Sequence, residues 1–243
     1  MVAYERFAAF YDVVMDDPAP RASRVNSTIA GYRPEAASIL ELGCGTGSIL
    51  ARLDTGAALT GLDRSPAMLA IAAAKVPGAQ LVAGDMASFE LGRRFDVVAC
   101  VFDSVNHLCD VASWVSMFAD VHDHLADGGL FVLDVNTVGE LRRLGEEPPW
   151  IYDFEGGTAI IDVSFALDPD GLGVTDWDIR IFEQTAGTGY QLHHECIGEL
   201  ALPLERVRSL LAGGFDLLEE VDEDGLPATD TSVKAYYALR RRD

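Results

Sequence analysis

Residues 39–48 read Ile39-Leu40-Glu41-Leu42-Gly43-Cys44-Gly45-Thr46-Gly47-Ser48. Residues 37–42 form a short apolar run that stops at glycine, the pattern of a buried strand. Glycines at 43, 45 and 47 let the chain turn tightly and let a ligand approach where a side chain would collide. Ile49, Leu50 and Leu53 then predict a helix, whose first amides can face a polar or anionic group. The spacing Gly43-x-Gly45-x-Gly47 differs from the G-x-G-x-x-G that cradles a dinucleotide pyrophosphate. Alone, such a loop is also what a bare strand-to-helix turn looks like.

The alternation continues outward from this loop. Residues 58–63 read as a strand, Ser65-Pro66 opens a helix over 67–75, and 80–83 is a third strand. Residues 95–102 form a fourth strand, 111–125 a helix stopped by Asp127-Gly128-Gly129, and 130–135 a fifth strand. Short loops between alternating strands and helices predict a parallel sheet covered on both faces. Upstream, Phe7, Phe10, Tyr11, Val14 and Met15 recur at helical spacing. Pro18 and Pro20 break that run before a second helix over 21–32. After Asn136, residues 151–154, 159–167, 174–183 and 191–202 alternate apolar and polar residues between turn signals, as an antiparallel sheet does. A helix over 204–212 and strands over 215–221 and 232–240 close the chain. The expected architecture is a doubly wound, mostly parallel sheet of about seven strands with an inserted antiparallel cap. Its expected parts are a helical lid (1–34), a core (35–137), the cap (138–202) and a returning helix and strands (203–243).

Lys and Arg total 18 against 39 Asp and Glu, a formal net charge of -21. A field of that sign repels phosphate backbones and anionic membranes, so neither nucleic acid nor a membrane is an expected partner. A cationic or neutral small molecule fits, as does a merely solvated acidic surface. Cys44, Cys100, Cys109 and Cys196 show no C-x-x-C pair, which argues for reduced thiols in a cytoplasmic protein. The first residues lack the apolar run of a signal peptide, and the apolar stretches are too short to span a bilayer.

Three strand ends carry groups matched to one nucleoside. Asp63 can accept both hydroxyl hydrogens of a ribose, Asp85 can accept from an exocyclic adenine amine, and Met86 can cover the ring. Each alone could be a cap or turn residue; together they describe an adenosine site. On these residues the sequence resembles the class I methyltransferases. Glu41-x-Gly43-x-Gly45-x-Gly47 is similar to their first motif, Gly61-Leu62-Asp63 to their second-strand acid, and Gly84-Asp85-Met86 to their adenine motif. The resemblance implies S-adenosyl-L-methionine as cofactor. It puts Glu41, Gly43, Cys44, Gly45 and Gly47 at the methionine end, Asp63 on the ribose, and Asp85 and Met86 on the adenine. Arg64 and Met68 would sit nearby. Tyr4-Glu5-Arg6-Phe7-Ala8-Ala9-Phe10-Tyr11-Asp12 resembles a helix of small-molecule members whose tyrosines close over the cofactor, which nominates Tyr4 and Tyr11.

The stretch Phe102-Asp103-Ser104-Val105-Asn106-His107 should face the reacting methyl group. It lacks the Asn/Asp-Pro-Pro-aromatic signature of nucleic-acid amino-methyltransferases. His107, with an ordinary pKa near neutrality, is the candidate base. It resembles the histidine after the fourth strand in enzymes that dimethylate deoxyamino sugars. Asp103 either attracts a cationic amine or caps the next segment. Trp150, Tyr152 and Trp177 are expected acceptor walls, or cap packing, and His193 or His194 could enter the site from the cap. His122 and His124, two apart on a helix, do not share a face and are no metal pair. No motif indicates a metal. The expected activity is methylation of an amine or hydroxyl on a small metabolite, such as an amino sugar. The alternatives are a nucleotide-linked oxidoreductase and a non-catalytic cofactor-binding protein. An exposed cap edge could pair two chains as a homodimer.

Overall fold

The computed structural model describes residues 4–15 and 17–242. The chain builds a sheet of 7 strands and a second sheet of 4. In chain order the elements are α1 (Ala8–Val14), α2 (Ala19–Tyr32), β1 (Ser38–Leu42), β2 (Ala58–Asp63), α3 (Pro66–Lys75), β3 (Gln80–Ala83), β4 (Phe95–Cys100), α4 (Val111–His124) and β5 (Leu125–Asn136). They continue with α5 (Val138–Glu146), β6 (Trp150–Phe154), β7 (Gly157–Leu167), β8 (Gly173–Gln184), β9 (Tyr190–Ala201), α6 (Leu204–Leu211), β10 (Phe215–Val221) and β11 (Lys234–Arg241).

The large sheet runs β10-β11-β5-β4-β1-β2-β3. The β1, β2, β3, β4 and β5 neighbours pair in parallel, whereas β11 joins β5 and β10 antiparallel. Alternation along β4 explains its two covered faces: Val98 and Cys100 bury with Trp114, Met117, Phe118 and Val121 of α4. Val97 and Ala99 bury with Ala22, Val25 and Ile29 of α2. Each such Val or Ile contributes about 1.5–3 kcal/mol by leaving water. The β6–β9 meander packs a third cluster against α1 and α5, with Phe7, Leu141, Ile161, Ile179 and Ile197 buried in it.

Four differences from the sequence expectation have physical causes. The helix expected after Gly47 is only a single 3-10 turn, Leu50–Arg52. Gly43, Gly45 and Gly47 all adopt positive φ, and Leu53 is already extended, so too little chain remains for an α-helix. β4 stops at Cys100 because Phe102 and Asp103 are left-handed. β5 instead begins at Leu125, so the glycines at 128 and 129 lie within that strand. α5 went unread, although Thr137-x-x-Glu140 is a capping-box pattern: the Thr137 hydroxyl accepts from Glu140 N at 3.1 Å, and Leu141 and Leu144 are buried.

Candidate active site

The strand order reverses between β1 and β4, and open α/β sheets bind ligands outside the carboxyl ends of strands at such a switch point. The loops after β1, β2, β3 and β4 all open there onto one cavity of about 230 Å³. Gly43, Gly45 and Asp63 line it, as do Met68, Asp85 and Met86. Tyr4, Tyr11, Arg64, Phe102 and His107 complete the expected set in that cavity. Glu41 and Cys44 line an adjoining cavity of about 400 Å³ that shares Tyr11, Gly43, Gly45, Phe102 and Ser104 with the first. Gly47 lines neither: a Cβ there would meet Ala72 at 3.1 Å, so this glycine serves the packing of the loop on α3. Gly45 is its opposite, with nothing within 4 Å of such a Cβ, so its backbone is open to approach.

Asp63 shapes the loop. Its carboxylate accepts from Gly45 N and from Ser65 N, both at 2.8 Å, and so joins the glycine turn to the start of α3. Burial pushes its pKa up, against those two amides. Glu41 is 3% exposed and Oε2 has no partner. Burial pushes it up to about 8, opposed by a backbone hydrogen bond and reinforced by Asp63. An orphaned, buried carboxylate oxygen beside an open glycine backbone fits the amino end of an amino acid. Asp85 is exposed and uses Oδ1 to accept from Ala87 N at 2.9 Å, beside the half-buried Met86.

The turn after β4 is built on strain. Phe102 and Asp103 sit at φ 65 and 53, a region costing about 1–3 kcal/mol for such residues. Asp134 of β5 holds both by accepting Phe102 N at 2.9 Å and Asp103 N at 2.6 Å. Asp103 does not cap the 3-10 turn Ser104–His107, as one expectation had it. Its carboxylate accepts from Lys234 Nζ at 2.6 Å, and the same ammonium donates to Asn136 Oδ1 at 2.7 Å. Burial alone would raise Asp103, yet the Lys234 charge holds it below the usual carboxylate range. The next residues are pinned by Asn106, fully buried, whose Nδ2 donates to the carbonyls of Asn136 and Leu200.

His107 therefore projects from a fixed turn. Nδ1 lies 3.4 Å from the Gly198 carbonyl oxygen and Nε2 lies 3.0 Å from the Tyr4 hydroxyl. A carbonyl only accepts, which puts the ring proton on Nδ1 and leaves Nε2 as an acceptor. Burial pushes the His107 pKa down, partly opposed by Asp103, so the ring is neutral at pH 7.

Other expected residues lie elsewhere. Trp150 faces a separate cavity of about 330 Å³ that it shares with Tyr152, Trp177, Phe102 and Asp103. Neither cap histidine lines the His107 cavity: His193 pairs with Glu183 at 2.8 Å and His194 with Asp178 at 3.0 Å. His122 and His124 serve backbone groups, the first at Arg242 O and the second at Asp120 O and Leu91 N.

Sequence reading missed Asp134, Asn106, Lys234 and Glu199, for which only their polarity inside apolar segments gave a signal. It also missed a latch: Asp12 of α1 accepts from Lys75 Nζ at 2.7 Å and from the hydroxyls of Thr46 and Ser48. With its partners partly exposed, the ion pair is worth about 0–1 kcal/mol, a fastening that α1 can leave.

Comparison with known proteins bears on this geometry. A family model described as a methyltransferase domain matches residues 39–129. The dTDP-3-amino-3,6-dideoxy-alpha-D-glucopyranose N,N-dimethyltransferase of Streptomyces fradiae is 36% identical over 132 residues, 52% of this chain and 52% of that protein. The match thus spans about half the length of that relative. A solved structure of an S-adenosylmethionine-bound amino pentose methyltransferase from Micromonospora echinaspora is 26% identical, covers 100% of this chain and 99% of its own, and superposes with a TM-score of 0.74. The chain is thus similar to S-adenosylmethionine-dependent methyltransferases, with a methyltransferase domain matched over residues 39–129. An S-adenosylmethionine-dependent methyltransferase from Clostridium acetobutylicum shares the fold throughout, at 23% identity, 99% coverage of both chains and a TM-score of 0.84. The methyltransferase family model covers β1 to the glycines within β5, the stretch that holds the glycine loop, Asp63, Asp85 and His107.

Proposed function

We propose that this protein is a methyltransferase that transfers a methyl group from S-adenosylmethionine to the amine of a small, sugar-like metabolite. The observation that carries the reading is a neutral His107, paired with Tyr4, in the same cavity as Gly45, Asp63 and Asp85–Met86. Glu41 would take the cofactor's amino group, which supplies the partner that Oε2 lacks. Asp63 would take the ribose hydroxyls, and Asp85 with Met86 the adenine. Tyr11, Arg64, Met68 and Phe102 would complete the walls, with Gly43 and Cys44 at the turn.

When bound, the cofactor supplies a methyl group activated by a sulfonium. The protein's task is then to present an acceptor lone pair in line and to keep water away. An amine arrives largely as ammonium, so one proton must leave before attack; His107 Nε2 carries the lone pair that would accept it, with Nδ1 held by Gly198. Tyr4 occupies Nε2 in this structure and would hand that position to the acceptor. Phe102 and Asp103 are held by Asp134, so the turn carrying His107 does not need to reorganise.

The acidic surface and the four unpaired thiols support a cytoplasmic enzyme acting on a small molecule and not on nucleic acid. Among the described residues, no helix is long and apolar enough to cross a membrane. The small sheet ends on β6, where Ile151 is 66% exposed, an edge that supports a homodimer; sedimentation would test it. The function itself is tested by incubating the enzyme with methyl-deuterated cofactor and dTDP-linked 3-amino sugars, and weighing the product. One or two labelled methyl groups on nitrogen are expected; labelling confined to oxygen, or none on any amino sugar, contradicts the reading.

A further inference from the structure

Beside His107 a recess of about 30 Å³ is set between the aromatic rings of Tyr4, Tyr11 and Trp177. It has room for one or two small groups, the size of an amine head. Asp103, His107 and Glu199 converge on it, with one polar atom of each within 4.8 Å of the others. Glu199, on the inward face of β9, is 2% exposed and accepts from Asn136 Nδ2 at 3.3 Å. Four residues earlier on that face, Glu195 is 9% exposed; Oε2 accepts from Phe7 N at 3.1 Å, and Oε1 has no partner.

The charge here does not balance. Asp103 takes the Lys234 ammonium, and the Arg21 guanidinium lies over the Phe102 ring at 3.9 Å and acts on Asp103 as well. Neither makes a salt bridge to Glu199, and an unpaired buried carboxylate either finds a cation or takes a proton. Without ligand, burial and then the neighbouring Asp103 push Glu199 up to about 8. A cation between π faces and a carboxylate, next to a neutral base, would find attraction from both.

We propose that this recess is the recognition site for the acceptor nitrogen as an ammonium, with Glu199 as the residue that selects amines over alcohols. The inference rests on the methyltransferase reading above and deepens it. The bound ammonium would lie within reach of His107, the group that takes its proton. Cation recognition has two conceivable beneficiaries at this place, the acceptor ammonium and the cofactor sulfonium, and the experiment separates them.

The test uses calorimetry on the full chain saturated with S-adenosylhomocysteine, which has no sulfonium, titrated with 3-amino-3-deoxyglucose or with glucose. The amine should bind about tenfold more tightly or better, the worth of one hydrogen bond to a charged group. Glu199→Gln should erase that preference while leaving S-adenosylhomocysteine affinity unchanged. Glu199→Asp, which keeps the charge and so guards against a folding defect, should retain part of it. Equal binding of the two sugars by the wild type, or an undiminished preference in Glu199→Gln, overturns the proposal. A Glu199→Gln variant that loses only its preference for S-adenosylmethionine over S-adenosylhomocysteine assigns the recess to the sulfonium and also overturns it. Failure of the wild type to bind S-adenosylhomocysteine would instead reject the methyltransferase reading itself.

Discussion

Replacing Lys234 by Met should cost the protein about 3–5 kcal/mol, because it leaves a buried carboxylate without its partner. Lys234 is 6% exposed, and its ammonium lies 2.6 Å from Asp103 and 2.7 Å from Asn136 Oδ1. In a chain of this size each kcal/mol lowers Tm by about 2–4 °C, so a fall of roughly 10 °C at pH 7 is expected. The loss has a sign in pH. Asp103 is held below its ordinary value when folded, so its pairing stabilises the protein above about pH 4 and fades as pH falls through the depressed folded value. The gap in Tm between Lys234→Met and wild type should therefore narrow on acidification. Adding Asp103→Asn should restore most of the loss, since removing both partners of a buried pair is close to neutral. Differential scanning calorimetry from about pH 2 to pH 8 measures all three. A single variant within about 2 °C of wild type at pH 7, or a double variant no more stable than the single, would refute the reasoning.

Other outcomes follow from the same geometry. His107→Ala should lower kcat by about 10²–10⁴-fold while S-adenosylhomocysteine affinity by calorimetry stays put. Because His107 is held below its ordinary value, the acid limb of wild-type kcat should lie below about pH 6.5. Glu41 sits at about 8 when folded against about 4.3 unfolded, so wild-type stability without ligand falls as pH rises across that window. Glu41→Gln should then melt higher than wild type at pH 8.5 yet bind S-adenosylhomocysteine at least about tenfold more weakly, read by thermal shift and calorimetry. Gly45→Ala and Gly47→Ala both strain a positive φ, at 51 and 74, yet they should separate: the first also weakens ligand binding, whereas the second also meets Ala72 at 3.1 Å and costs about 1–3 kcal/mol more stability in chemical denaturation.

The parallel core was legible because its signals are local. Strands 37–42 and 58–63 are short apolar runs ending at glycine or aspartate, and the structure shifts their bounds by no more than a residue. The residues at the strand ends were legible for the same reason, each being fixed by its own strand. What escaped is long-range. Lys234 meets Asp103 across 131 residues, Asn106 meets Leu200 across 94, and Glu199 meets Asn136 across 63. No local pattern marks such pairs, and β11 and β9 read as ordinary amphipathic strands. Trp150, read as an acceptor wall or as cap packing, faces a cavity beside Trp177 that Phe102 and Asp103 also border, a placement no local pattern marks. The helix expected after the glycine loop failed because three positive-φ glycines use up the chain that would have wound it.

The proposed adenosine site is the cavity at the ends of β1, β2 and β3. Calorimetric titration of the wild-type protein and of Asp63→Ala with S-adenosylhomocysteine tests it most directly. One site per chain in the wild type, with affinity reduced at least about tenfold in the variant, is the predicted result. Stabilisation by NAD in place of S-adenosylhomocysteine, or binding indifferent to Asp63, would contradict it.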